Sequence, residues 1–279
     1  MMTYFSAMKL PKVATIGQYL ILCALAALCI FPFWWTLVTA ISTEGNIFAF
    51  PPTFWPKAPS LDNFIEVFRS IPMWLFYRNS LIITISTVFW KLLVCSLAAY
   101  PLARMKFKGS KLVFGLIIAT MVLPSEVNFL TNFITLTKLS LVNTYTGVIL
   151  PNVVNAVSIL LLKQAFEEVP QDLIDAARVD GATEWIIFWK IVLPLIMPWL
   201  ATVGILSAVE AWNEYIWPSI VLSKPESFPL AAGVLYLRGA YGSSTRVIAA
   251  GTILTIVPIL VAFLFTQRFF MRGMDGAVK

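Results

Sequence analysis

Three ionisable residues stand inside apolar runs: Lys91, and the pair Glu210 and Glu214 one helical turn apart. A charge in a membrane-spanning segment is costly and marks a functional candidate. Trp212, Asn213 and Tyr215 surround the glutamates, and Glu126 and Asn128 close an earlier apolar run. These residue types suit binding rather than bond-making, since carboxylates, amides and aromatic faces can hold a hydroxylated solute. The chain has no histidine, which removes histidine zinc sites, imidazole bases and Ser-His triads. A membrane-embedded enzyme would have to work with Lys91 and Glu210 or Glu214 alone. A plainer reading stays open for each group. Trp212, Tyr215 and Trp217 also fit an interfacial anchor belt, and Glu126 and Asn128 a solvated loop. For Lys91 the reading is a structural pairing with a carboxylate inside the bundle, ahead of snorkelling along lipid.

The elements that must position these residues are membrane helices. Of 279 residues 59% are hydrophobic and 12% charged, about half the charged share of a soluble domain. Apolar runs at residues 16–40, 79–102, 112–129, 145–166, 191–222 and 247–270 are each long enough to cross about 30 Å of hydrocarbon. The expectation is an all-α, polytopic protein of six transmembrane helices forming one membrane domain over residues 1–279. Pro124, Pro151 and Pro198 fall within or at the end of three runs and predict kinks. Cys23, Cys29 and Cys95 all lie in apolar runs and read as small packing residues, not a disulfide framework.

Basic residues set the orientation. Lys9, Lys12, Arg104, Lys106, Lys108, Lys111, Lys163, Arg178, Lys190, Arg268, Arg272 and Lys279 fall on one side. Lys57, Arg69, Arg78, Lys138, Lys224, Arg238 and Arg246 fall on the other. The richer side is cytoplasmic by the positive-inside rule, which puts both termini and the loop at residues 170–190 in the cytoplasm. The same residues explain the net charge of +6 without nucleic acid. On the outer side Phe50-Pro51-Pro52-Thr53-Phe54-Trp55-Pro56 forbids a regular helix. Leu61 to Phe68 then carries apolar residues at helical spacing behind a Ser60 cap.

The loop at residues 170–190 carries the most information. Pro170 opens a short helix whose Leu173, Ile174 and Ala177 share a face, and Gly181 supplies a left-handed stop. A second segment with Trp185, Ile186 and Trp189 leads to Leu193-Pro194. The prediction is a helix-turn-helix elbow. Ala176 and Ala177 let another surface come close, and Asp175 and Asp180 offer charge-assisted hydrogen bonds to fix its register.

This loop resembles that of the permease subunits of ABC importers, whose hallmark is Glu-Ala-Ala, three residues, Gly, nine residues, then Ile-x-Leu-Pro. Here it reads Asp175-Ala176-Ala177, Gly181 and Ile191-Val192-Leu193-Pro194, with Asp for the leading Glu. Asn79-Ser80-Leu81, Ala103 to Gly109 and Ala211 to Pro218 look like the carbohydrate-uptake branch, specifically its six-helix, maltose-permease-G-like subunit. Leu123-Pro124-Ser125-Glu126-Val127 looks like the glycerol-3-phosphate member of that branch.

The resemblance implies a permease of the bacterial cytoplasmic (inner) membrane that is not itself an enzyme. Its partners would be a second, homologous permease subunit, two copies of a cytoplasmic ATP-binding subunit and an extracytoplasmic solute-binding protein. ATP and Mg would sit on the ATPase subunits, and this chain would bind no cofactor and no metal. Asp175, Ala176, Ala177, Asp180, Gly181, Ala182, Leu193 and Pro194 would form the coupling elbow. Glu126, Asn128, Trp212, Asn213, Glu214 and Tyr215 are the pathway candidates. The solute would be a disaccharide, a glycosylated polyol such as glucosylglycerol, or glycerol-3-phosphate. The competing class, a secondary transporter driven by an ion gradient, would show repeat symmetry and mid-membrane relays; no repeat is evident.

Overall fold

The computed structural model describes residues 12–45, 54–105, 107–240 and 244–277. Lys9, Lys106, Lys279 and the Phe50–Thr53 half of the proline-rich segment lie outside them. Helices dominate, and among the described residues the only bridge between extended segments joins Ser42 and Pro59.

The chain divides into two units, Met1–Ser70 with Gly242–Leu254, and Ile71–Tyr241 with Thr255–Lys279. In the first, α1 (Lys12–Ile41) is apolar all round, and Ile16, Leu20, Leu22, Leu25 and Leu28 are exposed. Such a helix has no polar face for water and suits lipid. The amphipathic helix α2 (Asp62–Ser70) forms where expected, and the Asp62 N–H donates to Ser60 Oγ at 3.0 Å. The Asn63 amide donates to the Ala40 and Ser42 carbonyls at 2.8 and 3.0 Å, capping the end of α1 that would otherwise leave carbonyls unpaired.

The second unit is built on α3 (Met73–Arg104), unbroken for 32 residues. It is followed by α4 (Ser110–Ala119), α5 (Phe129–Lys138), α6 (Tyr145–Ile149), α7 (Ala156–Glu168) and α8 (Gln171–Val179). The second arm of the elbow is α9 (Glu184–Ile186), a π-helical turn over Ile187–Val192, and α10 (Leu193–Leu195). After it come α11 (Met197–Asn213), α12 (Ile216–Val221) and α13 (Leu230–Ala240), and then the part of α14 (Thr245–Ala277) from Thr255 onward, its earlier residues belonging to the first unit. The core joins Cys95, Ala99 and Tyr100 of α3 to Leu162 and Phe166 of α7.

Three of the expected runs are not single helices. The run at residues 112–129 stops at Val122 and turns at Leu123-Pro124 before α5. The run at residues 145–166 bends by 52° between Asn152 and Ala156, past Pro151. The run at residues 191–222 starts earlier, at Glu184, bends by 77° around Ile196, and breaks again at Glu214-Tyr215. Proline is the physical reason in each bend: it removes a backbone donor and crowds the preceding turn. Pro194 would deprive the Lys190 carbonyl of its N–H, and the turn just before it widens into π geometry. Pro198 sits in the first turn of α11, where no intrahelical N–H is missed. Helix α13 is an addition to the sequence reading. By length and composition α1, α3 and Thr245–Phe265 of α14 can each cross a membrane, and counting every bent pair as one span gives up to six.

Candidate functional site

The elbow is built from two capped turns. Helix α8 ends at Val179 with Asp180 as its cap, and Gly181 follows at φ +82°. The Gly181 N–H donates to the Arg178 carbonyl at 3.0 Å and the Ala182 N–H to the Ala177 carbonyl at 2.9 Å. This is the paired closure that terminates helices through a left-handed residue. Thr183 then caps α9, its hydroxyl accepting from the Ile186 N–H at 3.4 Å.

The inner face of α8 is narrower than the sequence pattern implied. Ile174 and Ala177 are buried, but Leu173 is exposed, because the core is reached only through the 174–177 stripe. Burying Ile174 contributes about 2 kcal/mol. Below it lies an aromatic cluster, with Tyr100 and Phe188 ring centres 5.1 Å apart and Tyr100 and Phe166 5.5 Å apart. The outward face presents Leu173, Ala176, Val179, Asp180 and, from the second arm, Trp185. Leu193 packs against the core while Pro194 is exposed.

Asp175 is exposed and bonds within α8 through one oxygen. Its Oδ1 accepts from Gln171 Nε2 and from Arg178 Nη1, each at 3.0 Å. Arg178 also forks onto Glu184 Oε1, at 2.9 Å from Nε and 2.8 Å from Nη2. That Glu184 hydrogen bond, reinforced by Asp175, holds the guanidinium above its already high ordinary value. Glu184 Oε2 accepts from the Tyr100 hydroxyl at 2.9 Å. Arg104, one turn beyond Tyr100 on α3, donates to the Phe166 carbonyl at 2.7 Å, to the Val169 carbonyl and to Gln171 Oε1 at 3.1 Å. It thereby satisfies carbonyls at the end of α7. No sequence pattern identifies Tyr100 and Arg104 as members of this site, because their partners Glu184, Phe166, Val169 and Gln171 lie 62–84 positions away.

The pathway candidates divide. Lys91 Nζ and Glu210 Oε2 meet at 2.8 Å, with side-chain exposures of 3% and 57%, so the expected pairing exists and Glu210 supplies it. Thr87, Lys91, Asn152, Glu210 and Glu214 line one cavity of 20 Å³, room for about one water and not for a sugar. Glu214 also serves the backbone: its Oε1 accepts from the N–H groups of Ile216 and Trp217 at 2.9 and 3.1 Å, capping α12. Trp212 is buried and its indole N–H donates to the Thr255 carbonyl at 3.2 Å. The Asn213 amide folds back onto the Val209 carbonyl at 2.9 Å. Tyr215, Glu126 and Asn128 are exposed, and Asn128 makes no capping bond to α5. Of these, only Glu214 shares the cavity with the ion pair.

The N-terminal end of α3 holds a third polar cluster. The Asn79 amide donates to the Glu226 and Phe228 carbonyls at 2.7 and 3.0 Å and accepts from the Tyr145 hydroxyl at 2.7 Å. Ser80 Oγ accepts from the Leu230 N–H at 2.7 Å.

Residues 91–275 match the family described as binding-protein-dependent transport system inner membrane component. The chain is 41% identical over 228 residues to the arabinooligosaccharides transport system permease protein AraQ of Halalkalibacterium halodurans, covering 81% of this chain and 82% of that one. It is 33% identical over 253 residues to the sulfoquinovosyl glycerol transport system permease protein SmoH of Agrobacterium fabrum, covering 90% and 89%. The fold matches a crystal structure of a bacterial ABC transporter involved in the import of the acidic polysaccharide alginate, with a TM-score of 0.80 at 23% identity over 96% of this chain and 99% of that one. An unbroken α3 packed on bent helices, an elbow at Asp175–Pro194 and kinship over most of the chain converge: this protein is a member of the binding-protein-dependent transport system inner membrane component family, the permease subunits of ABC importers.

Proposed function

We propose that this permease carries a sugar or a glycosylated polyol across the cytoplasmic membrane of a bacterium, as one half of a heterodimer with a second permease. Six spans form one membrane domain over residues 1–279, with both termini and the elbow in the cytoplasm. An external solute-binding protein delivers the solute. Two ATPase subunits bind ATP and Mg. The substrate class is supported by relatives whose names specify arabinooligosaccharides and sulfoquinovosyl glycerol. The second of these joins a sugar to glycerol, which fits the glycosylated-polyol reading.

The observation that carries the mechanism is the elbow. Asp175 through Pro194 leaves α7 and returns to α11 with an exposed face of Leu173, Ala176, Val179 and Trp185. An ATPase docked there biases the permease only if it binds one conformation better than another, since equal binding shifts nothing. Asp180, Gly181 and Ala182 shape the turn that presents this face. On the membrane side, Glu214 beside the Lys91–Glu210 pair belongs to the solute path, with Asn213, Tyr215, Trp212, Glu126 and Asn128 as its outer members. The cavity beside Glu214 measures 20 Å³, too small for a sugar.

The test is reconstitution with the partner subunits and binding protein in proteoliposomes, followed by uptake of labelled arabino-oligosaccharides, disaccharides, glycosylglycerols and glycerol-3-phosphate. ATP-dependent uptake of one of the sugar-containing solutes is expected. Uptake by this chain alone on a proton or sodium gradient would overturn the proposal.

A further inference from the structure

We infer that Tyr100 and Arg104 are positioning residues, the two anchor points of a closed side-chain circuit that fastens the elbow to the inner end of α3. The inference rests on the coupling role proposed for the elbow. From Arg104 the contacts run to Gln171, from Gln171 to Asp175, from Asp175 to Arg178, and from Arg178 to Glu184. From Glu184 they return to Tyr100, one turn from the start on the same helix. Every link is 2.8–3.1 Å.

The circuit passes through both arms of the elbow. Gln171, Asp175 and Arg178 belong to α8 and Glu184 to α9, on the far side of the Gly181 turn. Arg178 therefore closes the turn from outside while the backbone bonds of Ala182 and Gly181 close it from inside. The Arg104 guanidinium adds the α7 end by donating to the Phe166 and Val169 carbonyls. Three segments, the end of α7, α8 and α9, thus meet on α3. If the joint between elbow and helix were free, displacement of the elbow would be absorbed by rotation at Val169-Pro170 and Asp180-Gly181. With the circuit intact, that rotation breaks charge-assisted hydrogen bonds, which are about twice as strong as neutral ones, and α3 moves instead. The leading Asp175 has the shorter reach this geometry needs: its carboxylate bonds within α8.

The prediction is a loss of solute imported per ATP hydrolysed, with assembly retained. Tyr100→Phe removes one hydroxyl and keeps the aromatic packing, while Gln171→Ala opens the circuit at its other end on an exposed side chain. In the reconstituted importer each change alone is expected to lower import per ATP about threefold. Because a circuit opened once is already open, the double variant is expected to lose no more than either single. Independent contacts would instead multiply to about ninefold. An unchanged ratio in both singles overturns the circuit, and so does a multiplicative loss in the double. The elbow reading fails separately: Leu173→Glu on the outward face should reduce ATPase copurification. Undiminished copurification and uptake in that variant would sink the coupling role, whatever Tyr100 and Gln171 do.

Discussion

The Lys91 ammonium and the Glu210 carboxylate lie 2.8 Å apart across α3 and α11, one almost fully enclosed and the other half exposed. The asymmetry predicts unequal mutants. Glu210→Gln leaves an enclosed ammonium without its counter-charge and should cost about 2 kcal/mol, below the full cost of breaking a buried pair because Glu210 is partly solvated. Lys91→Met combined with Glu210→Gln should recover most of that loss. Thermal unfolding of the three variants in detergent checks the order, and a double variant no more stable than Glu210→Gln would refute it.

Glu214 combines a backbone role with a place beside the ion pair, and one substitution separates the two. Glu214→Gln keeps a carbonyl oxygen to accept from Ile216 and Trp217 but removes the charge. Its stability should stay within about 1 kcal/mol of the parent, while the concentration dependence of uptake shifts. Glu214→Ala should lose the cap as well, about 1 kcal/mol. Equal stability of the alanine and glutamine forms would show that the cap contributes nothing.

At Gly181 a side chain would meet no atom within 4 Å, yet φ is +82°. A Cβ there is opposed by the backbone conformation and not by neighbouring atoms of this chain. Gly181→Asn should retain uptake, since asparagine tolerates the left-handed region, whereas Gly181→Val should abolish it. Wild-type uptake and solute-stimulated ATP hydrolysis in Gly181→Val would remove the turn from the mechanism.

Asn79 is fully buried and serves two backbone carbonyls and one hydroxyl. Asn79→Ala leaves all three short of a partner and should destabilise by about 3 kcal/mol. The local effect is testable by limited proteolysis within residues 223–229, which should become faster before global unfolding. Ser80→Ala, with a single partner in the Leu230 N–H, should cost about 1 kcal/mol.

Composition and spacing made the membrane helices and the elbow legible, because hydropathy and the Asp175–Gly181–Pro194 interval are local patterns. The breaks were less so. Pro151 and Pro198 signal a kink, but whether a span bends gently or splits depends on tertiary support for the freed carbonyls, and no sequence window contains that. The site shows the same limit. Lys91 invites a carboxylate partner, and the sequence offered Glu210 and Glu214 equally; packing of α3 on α11 chose Glu210. Trp212 looked like a free aromatic face and instead donates to Thr255, a contact set by where α14 passes. Arg104 read as one positive-inside charge among twelve and as part of the Ala103–Gly109 resemblance, with no partner implied, yet its guanidinium is where α3, α7 and α8 meet.

Helix α3 carries Asn79 and Ser80 at one end, Lys91 in its middle and Tyr100 and Arg104 at the other. At 1.5 Å per residue its 32 residues make a rod of about 48 Å, and its single proline, Pro101, falls in the last turn. One unbroken helix therefore fixes the spacing of three polar clusters: at 1.5 Å per residue, Asn79 stands about 18 Å along the axis from Lys91, and Lys91 about 14 Å from Tyr100.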